Sequence, residues 1–238
     1  MTTPVDPAHR VHWVLGESVH MPVEIRSARA CSALFTVHAE AARSTLAEVG
    51  LEPVVPFPGR AVCALAFVQY VDGDLGPYHE FAVALLCREP GRRRAIGSYI
   101  HWLPVNQRFT CEAGRTIWGF PKEITEIELD VAGPAKRCTV RAQGRHVVTL
   151  HVERGLPIPS TMGAVSIDAY TSRDGLLRRT PWHMRPAGVR MRPGGARVEL
   201  GEHPVADELR EWGLPRGALS TSHISTLRMT FTDAEEVR

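Results

Sequence analysis

The chain has 238 residues and a mass of 26.3 kDa, which is enough for one large domain with a sizeable buried core. Its 28 basic and 26 acidic residues give a net charge of +2, so the sequence offers no long-range field that would hold nucleic acid or an anionic membrane. We therefore expect a single domain over residues 1–238 whose partner is a small molecule.

The five cysteines are widely spaced and include no CxxC pair. Several lie in apolar runs such as AVCALAF, where a thiol packs as a small hydrophobic group, so buried thiols are favoured over a disulfide framework or a zinc site. The N-terminus lacks the basic-then-apolar order of a signal peptide, and no stretch approaches about 18 consecutive apolar residues. We expect a cytoplasmic protein with no membrane-spanning segment.

The first predicted element is a helix over residues 37–49, which are rich in helix formers and are followed by Gly50 and then Pro53. Apolar or alternating runs then predict strands at 61–71, 80–87, 97–105, 124–131, 138–142 and 145–152. The Gln143-Gly144 step predicts a hairpin turn between the last two of these strands. Because no helical pattern separates the strands, we expect them to pair antiparallel.

The second half of the chain is rich in Arg, Pro and Gly between residues 154 and 200. Strand-like pieces occur at 164–170 and 195–200, a short helix is predicted at about 204–212, and a last strand at 222–231. No internal repeat or low-complexity linker is present. The sequence therefore predicts a mainly antiparallel α+β domain whose sheet can close into a β-barrel and so remove its edges.

The segment GRTIWGFPKEITEIELD, residues 114–130, places Lys122 directly after an apolar and aromatic run. Of the 28 basic residues only Lys122 and Lys136 are lysines, so a position that needed charge alone would be expected to carry Arg. Unlike Arg, Lys can lose its proton near neutral pH and attack a carbonyl carbon. Apolar neighbours such as Trp118 and Phe120 would lower its pKa. The alternative is a surface lysine at the start of a strand, paired with Glu123 or Glu126.

Other candidate residues are less informative when each is taken alone. Glu80 opens an apolar strand after a turn rich in glycine and proline, and it is either a site carboxylate or a rim charge. Arg29 precedes the first helix. His146 and His151 are five residues apart on a strand pattern, which puts them on opposite faces and gives no support to a metal site. The motifs GxxxxGK, GxGxxG and GxSxG are all missing from the sequence.

Four motifs, in order, resemble those of the acetoacetate decarboxylase family, and the match extends over nearly the whole chain. GRTIWGFPKEI resembles the segment that carries the family's Schiff-base lysine. SARACSALFTVHAEAARSTL at 27–46 is similar to the family's Arg-containing strand and following helix. GDLGPYHE at 73–80 is similar to its glycine-rich turn ending in the catalytic glutamate, and LSTSHI at 219–224 is similar to its closing segment.

The resemblance implies a role for each matching residue. Lys122 would be the nucleophile that forms an imine, Glu80 the acid over that imine, and Arg29 the cation that orients the substrate or the carboxylates. The implied fold is a cone-like antiparallel β-barrel with flanking helices, assembled into a homo-oligomer. The implied reaction needs no metal and no organic cofactor.

Two departures from the family pattern bear on the reaction. This chain has Lys122-Glu123 where the typical decarboxylase has two lysines, and its strand at 61–71 lacks the family's second acid. The first hypothesis is decarboxylation of a β-keto acid. The second is an aldol, dehydration or cyclisation reaction of an oxo acid or polyketide-like substrate on the same lysine. The third is a barrel that binds a small ketone or acid without turnover.

Overall fold

A computed structural model describes residues 10–92, 95–159 and 164–237. Residues 1–9, on which the expectation about a signal peptide partly rests, lie outside the described part of the chain. The strands, in chain order, are β1 (Val11–Val14), β2 (Glu17–His20), β3 (Val23–His38), β4 (Glu52–Pro53), β5 (Arg60–Gly73), β6 (Tyr78–Arg88), β7 (Gly97–Val105), β8 (Lys122–Ile124), β9 (Glu126–Asp130), β10 (Lys136–Ala142), β11 (Arg145–Val152), β12 (Leu156–Pro157), β13 (Val165–Arg173), β14 (Leu176–Pro193), β15 (Ala196–Leu200), β16 (Ser220–Phe231) and β17 (Glu235–Glu236). The helices are α1 (Ala39–Ala47), α2 (Arg108–Ala113) and α3 (Pro204–Glu211), and a π-helical turn at Gly114–Trp118 continues α2.

The largest sheet closes on itself into a ring. Its strand order is β4-β6-β5-β3-β16-β14-β13-β7-β8, and an additional pairing between β6 and β7, the second strand from each end, closes the ring. Most neighbours are antiparallel, whereas β7 runs parallel to both β13 and β8. A second sheet has the order β15-β11-β10-β9, and β1 pairs with β2 as a separate hairpin. The predicted class, a mainly antiparallel α+β fold, is confirmed.

Buried apolar side chains form two clusters on opposite faces of the ring sheet. One cluster includes Phe67 and connects the ring to α1, α3 and the four-stranded sheet. The other includes Tyr70 and Trp118, and Val68 packs against it. Because Phe67 and Val68 are adjacent on β5, they point to opposite faces, which separates the two clusters. All five cysteines are free and buried.

Several predicted elements are found where the pattern placed them. β7 and β11 cover residues 97–105 and 145–152 as predicted, and the turn between β10 and β11 has positive φ at Gln143 (50°) and Gly144 (75°), as a two-residue hairpin turn requires. The helix predicted at 37–49 is shorter, because β3 continues through His38. The strand predicted at 124–131 is interrupted at Thr125 and becomes β8 and β9.

The main element that the sequence did not predict is β14, an 18-residue strand within the segment rich in Arg, Pro and Gly. It pairs with β13 on one side and with β16 on the other. These long-range backbone hydrogen bonds hold the segment extended even though its composition is typical of irregular chain.

Candidate active site

Lys122 and Glu80 form a buried ion pair. The distance between Lys122 Nζ and Glu80 Oε2 is 2.9 Å, and the two side chains are 4% and 7% exposed. A charged pair is rarely found so deep in a protein without a role, since taking both charges out of water costs several kcal/mol for each ion. The structure therefore brings two of the three predicted site residues into direct contact.

Strand β7 places the two residues on the same face of the sheet. It runs between β6 and β8, with Val105 opposite Glu80 on one side and Leu103 opposite Lys122 on the other. Leu103 and Val105 are two residues apart, so their side chains, and those of their cross-strand partners, point the same way.

The π-helical turn sets the direction in which the backbone enters β8. It ends at Gly119, whose φ of 70° lies in the left-handed region that favours glycine, and the chain then enters β8 through Phe120. Nε of Arg115 donates a 2.6 Å hydrogen bond to the backbone oxygen of Lys122 and so fixes the start of that strand. Short π-helical segments occur frequently at functional sites.

Gly114 provides the space through which the Lys122 side chain passes. A Cβ atom at this position would lie 2.5 Å from Cδ and 2.7 Å from Cε of Lys122. Because Gly114 has ordinary right-handed helical dihedrals (φ −60°, ψ −41°), its role is to leave room rather than to adopt an unusual backbone conformation. The glycine in GRTIW is therefore explained by the lysine that follows it.

Hydroxyl groups surround the ion pair. Tyr70 donates a 2.8 Å hydrogen bond to Oε1 of Glu80, so each carboxylate oxygen has a partner. The ring of Tyr70 stacks on Tyr78 at 4.0 Å, and the Lys122 amine lies 5.0 Å from the Tyr78 ring centre and 3.3 Å from the Thr110 hydroxyl. None of these three residues was predicted as a site residue, although Tyr70 lies on the strand predicted at 61–71 and Tyr78 in the glycine-rich turn before Glu80.

The electrostatics of the pair differ from the expectation for Lys122. Burial by itself lowers the pKa of Lys122, but the negative charge of Glu80 and its hydrogen bond to the amine outweigh burial and leave the pKa raised. The resting side chain is therefore an ammonium ion. Burial also raises the pKa of Tyr70 and of Tyr78, so both phenols keep their protons at neutral pH.

A small apolar cavity adjoins the amine. Its volume is about 20 Å³, room for about one water molecule. Besides the ion pair and the two tyrosines, it is lined by Ile25, Leu75, Leu103, Trp118, Phe120, Trp182 and Phe231. The indole nitrogen of Trp182 is buried and has no hydrogen-bond partner among the described residues.

The structure does not bring Arg29 to this cavity. Arg29 is opposite Gln69 across β3 and β5, whereas the adjacent Tyr70 contacts Glu80, so Arg29 and the ion pair lie on opposite faces. The cause is an irregularity in β3: Ile25 lines the cavity, but the pairing register shifts between Ile25 and Ala28 and reverses the alternation that follows.

Glu123 also points away from Lys122. Its carboxylate accepts a hydrogen bond from the indole nitrogen of Trp102, which packs in the other core cluster. Among the described residues, no group of three or more His, Cys, Asp or Glu side chains is placed to hold a metal ion. Within the same part of the chain, no helix has the length and apolar character needed to cross a membrane.

Comparison with known proteins gives a family and a shared fold. A family model described as "Acetoacetate decarboxylase (ADC)" matches residues 2–235. No significant match was found among curated proteins.

Three solved structures illustrate the similarity. The acetoacetate decarboxylase from Legionella pneumophila subsp. pneumophila str. Philadelphia 1 is 16% identical, with a TM-score of 0.72 over 91% of this chain and 87% of that one. A structure described as "Structural Studies of Acetoacetate Decarboxylase" is 17% identical, with a TM-score of 0.65 over 91% and 89%. The enduracididine biosynthesis enzyme MppR, complexed with the condensation product of pyruvate and imidazole 4-carboxaldehyde, is 18% identical, with a TM-score of 0.66 over 90% and 88%. At these identities the structures establish the common fold, and the family match establishes membership: this chain belongs to the acetoacetate decarboxylase family.

Proposed function

We propose that this protein is a Schiff-base lyase that decarboxylates a β-keto acid through an imine on Lys122. The observation that carries the proposal is the ion pair of Lys122 and Glu80 at the wall of an apolar cavity. The Lys122 amine can reach a bound carbonyl, and the Glu80 carboxylate is close enough to the amine to exchange a proton with it.

The first step needs a neutral amine. The cavity has room for about one water molecule, so it must widen to admit a substrate. Once the substrate has displaced that water, the ammonium of Lys122 passes its proton to Glu80, because neutral groups are favoured over charged ones in apolar surroundings. The amine then attacks the keto carbon, and loss of water gives a protonated imine. The substrate carboxylate leaves as CO2, and the electron pair of the broken carbon–carbon bond moves into the imine to form an enamine.

Glu80 completes the cycle as a proton carrier. After its first proton has left with the water molecule lost on imine formation, Glu80 takes up another proton from solvent. This acid form protonates the enamine carbon, and attack by water on the resulting imine releases the ketone and restores the amine. The Tyr70 hydroxyl holds the carboxylate in place through Oε1. The buried indole N–H of Trp182 supplies a hydrogen-bond donor for a substrate oxygen, a role that Arg29 on the opposite face cannot fill.

A second candidate keeps the same lysine and changes the bond that is broken or formed. The related MppR structure holds a condensation product of pyruvate, which favours aldol or dehydration chemistry of an oxo acid on this fold. In a cavity widened by substrate, the aromatic walls formed by Trp118, Phe120, Trp182 and Phe231 would also contact the apolar part of a larger oxo acid or polyketide-like substrate. In the third hypothesis, the same cavity holds a small ketone or acid without turnover.

Borohydride trapping separates these candidates. The wild-type protein is incubated with acetoacetate or with pyruvate, reduced, and weighed by intact mass, and peptide mapping assigns the added mass to Lys122 or to Lys136, the other lysine of the chain. Labelling at Lys122 with release of CO2 from acetoacetate supports the decarboxylase. Labelling without CO2 release favours the second candidate if a product forms, and binding alone if none does. Equal labelling of Lys122→Arg would contradict an imine on this residue.

We also propose that the protein is a cytoplasmic homo-oligomer. The β1–β2 hairpin carries Trp13 and Leu15, which are 71% and 53% exposed, and such apolar groups are commonly covered by a second copy. Light scattering at micromolar protein tests the assembly. A mass of one chain would exclude it.

A further inference from the structure

A basic cleft lies on the face of the ring that is turned away from Lys122. We define it by its positively charged and titratable lining groups: Arg29, Lys136, Arg154, Arg190 and His223. It consists of two adjoining cavities of about 290 and 360 Å³ that share Lys136 and His223. This total is large enough for a small organic molecule.

The strand register brings the floor of the cleft together. His223 on β16 is opposite Cys31 on β3 and opposite Arg190 on β14, so these three side chains form one row on one face. Arg29 is two residues before Cys31 in a regular part of β3 and therefore shares that face. Arg29 and Arg190 are therefore placed beside His223 by backbone pairing, and this placement does not depend on the position of a flexible side chain.

The four-stranded sheet supplies the opposite wall. Lys136 begins β10, and its Nζ atom donates to the backbone oxygens of Val131 and Gly133 at 2.5 and 2.7 Å, which leaves one amine hydrogen for a ligand. Nε of Arg190 donates to the backbone oxygen of Gly155 at 2.9 Å, so this guanidinium is also held in place. Two of the cations are thus positioned before any ligand arrives.

Negative charge is scarce in the cleft. Its lining includes one described carboxylate, Glu153, which pairs with Arg192. Within the described parts of the chain, neither Arg29 nor Arg154 forms an ion pair with a carboxylate. Partial burial and the surrounding cations lower the pKa of His223, so the histidine itself is neutral at pH 7.

The side-chain amide of Gln69 bears independently on whether the cleft binds a ligand. It is opposite Arg29 across β3 and β5 and lines the same cavity. The oxygen of its amide is buried and lacks a hydrogen-bond partner among the described residues. A buried amide oxygen without a donor destabilises the protein, and a bound ligand that donates a hydrogen bond to it would remove that cost.

We propose that the basic cleft binds a small phosphate-bearing anion. A carboxylate presents two oxygens in one plane and suits a single arginine fork, whereas a phosphate presents several oxygens in different directions. Arg29, Lys136, Arg154 and Arg190 approach from β3, β10, the end of β11 and β14, which matches the second geometry. A phosphate ester with a hydroxyl group would also satisfy Gln69. The cleft is separate from the Lys122 cavity, so this proposal does not depend on the proposed reaction.

Titration calorimetry with pyrophosphate at fixed ionic strength tests the proposal, with inorganic sulfate and succinate as comparison anions. We expect pyrophosphate to bind more tightly than succinate. Arg29→Gln and Arg190→Gln should each weaken the binding by about tenfold or more, because each removes a charged donor to phosphate. The double variant Lys122→Met with Glu80→Gln, which removes both charges of the buried pair, should bind pyrophosphate as the wild type does, which separates this site from the lysine chemistry.

The matched control is Arg43→Gln, which removes an exposed arginine from α1, outside the cleft. It should bind pyrophosphate like the wild type. Equal weakening in Arg43→Gln and Arg29→Gln would show non-specific attraction to an arginine-rich chain and would overturn the proposal. Failure of the wild type to bind at millimolar pyrophosphate would also overturn the proposal. A shift from oligomer to smaller species in Arg29→Gln would indicate that a second copy of the chain covers the cleft, and would overturn it too.

Discussion

The amine of Lys122 and the carboxylate of Glu80 share a hydrogen bond of 2.9 Å in a place where both side chains are almost completely buried. Water screens the pair very little there, so the pKa of Lys122 depends strongly on the negative charge of Glu80. A change to one partner, or to one of the groups that hold the pair, should therefore alter the reactivity of the amine.

Replacing Glu80 by Gln should separate imine formation from turnover. The charge that raises the pKa of Lys122 is lost while burial remains, so the pKa of the amine falls and borohydride trapping should reach half its maximum at a lower pH than in the wild type. Steady-state turnover should fall by about 100-fold, the usual scale for a positioned acid or base. Near-normal turnover would remove Glu80 from the chemistry, and a trapping profile displaced to higher pH would contradict the origin of the raised pKa.

Tyr70→Phe tests whether the tyrosine positions Glu80. The variant removes the hydroxyl that donates to Oε1 and keeps the aromatic ring stacked on Tyr78. We expect kcat to fall about tenfold with little change in KM, because a charge-assisted hydrogen bond contributes about 1.5–3 kcal/mol and this one acts on the carboxylate rather than on the substrate.

The control for this variant is Tyr170→Phe. Tyr170 donates a 2.7 Å hydrogen bond to Glu89 and does not line the Lys122 cavity. Tyr170→Phe therefore loses the same kind of hydrogen bond as Tyr70→Phe, at another place in the fold. Similar kcat losses in the two variants would indicate a general effect of stability rather than positioning of Glu80.

Lys122→Met should destabilise the protein more than the double variant Lys122→Met with Glu80→Gln. The single change leaves a buried carboxylate without its cation, at a cost of about 3–5 kcal/mol, whereas the double change removes both charges. Urea unfolding at neutral pH measures the difference. If the double variant is as unstable as the single one, or less stable, the unpaired charge of Glu80 is not what destabilises Lys122→Met.

The two central site residues could be predicted from the sequence because their signals are local. Lys122 is one of two lysines among 28 basic residues and follows an apolar and aromatic run, and Glu80 follows a recognisable glycine-rich turn. Strand alternation and the Gln143-Gly144 step likewise report local backbone preferences, and those elements are found in the structure.

The residues that were missed depend on pairing between distant strands. The side of the sheet on which Arg29 lies depends on a register shift between Ile25 and Ala28; without that shift, simple alternation from Ile25 would have carried Arg29 to the Lys122 cavity. The contact of Tyr70 with Glu80 requires the turn between β5 and β6 and the register that follows it. Ring closure requires β6 to find β7 as well as β5, which no local pattern specifies.

Gly114→Ala should disturb the amine without unfolding the protein. The helical dihedrals of Gly114 suit alanine, and the gain of up to about 1 kcal/mol in helix propensity offsets part of the cost of crowding, which is about 1–3 kcal/mol. The new Cβ atom occupies the path of Lys122 Cδ and Cε, so the side chain must move and Nζ is displaced from Glu80. We expect the rate of borohydride trapping to fall by about tenfold or more, since a displacement of about 1 Å is enough to lose that much catalytic efficiency.

The matched control is Gly217→Ala, where an added Cβ atom meets no atom within 4 Å. It should keep the wild-type trapping rate and melting temperature. If folded Gly114→Ala also traps substrate at the wild-type rate, the lysine has another route past residue 114, and the space left by this glycine is not what positions the nucleophile. If Gly114→Ala instead slows trapping while its melting temperature stays close to that of Gly217→Ala, the effect lies in the placement of the amine. The glycine in GRTIWGFPK would then be part of the site because of the side chain it lets pass.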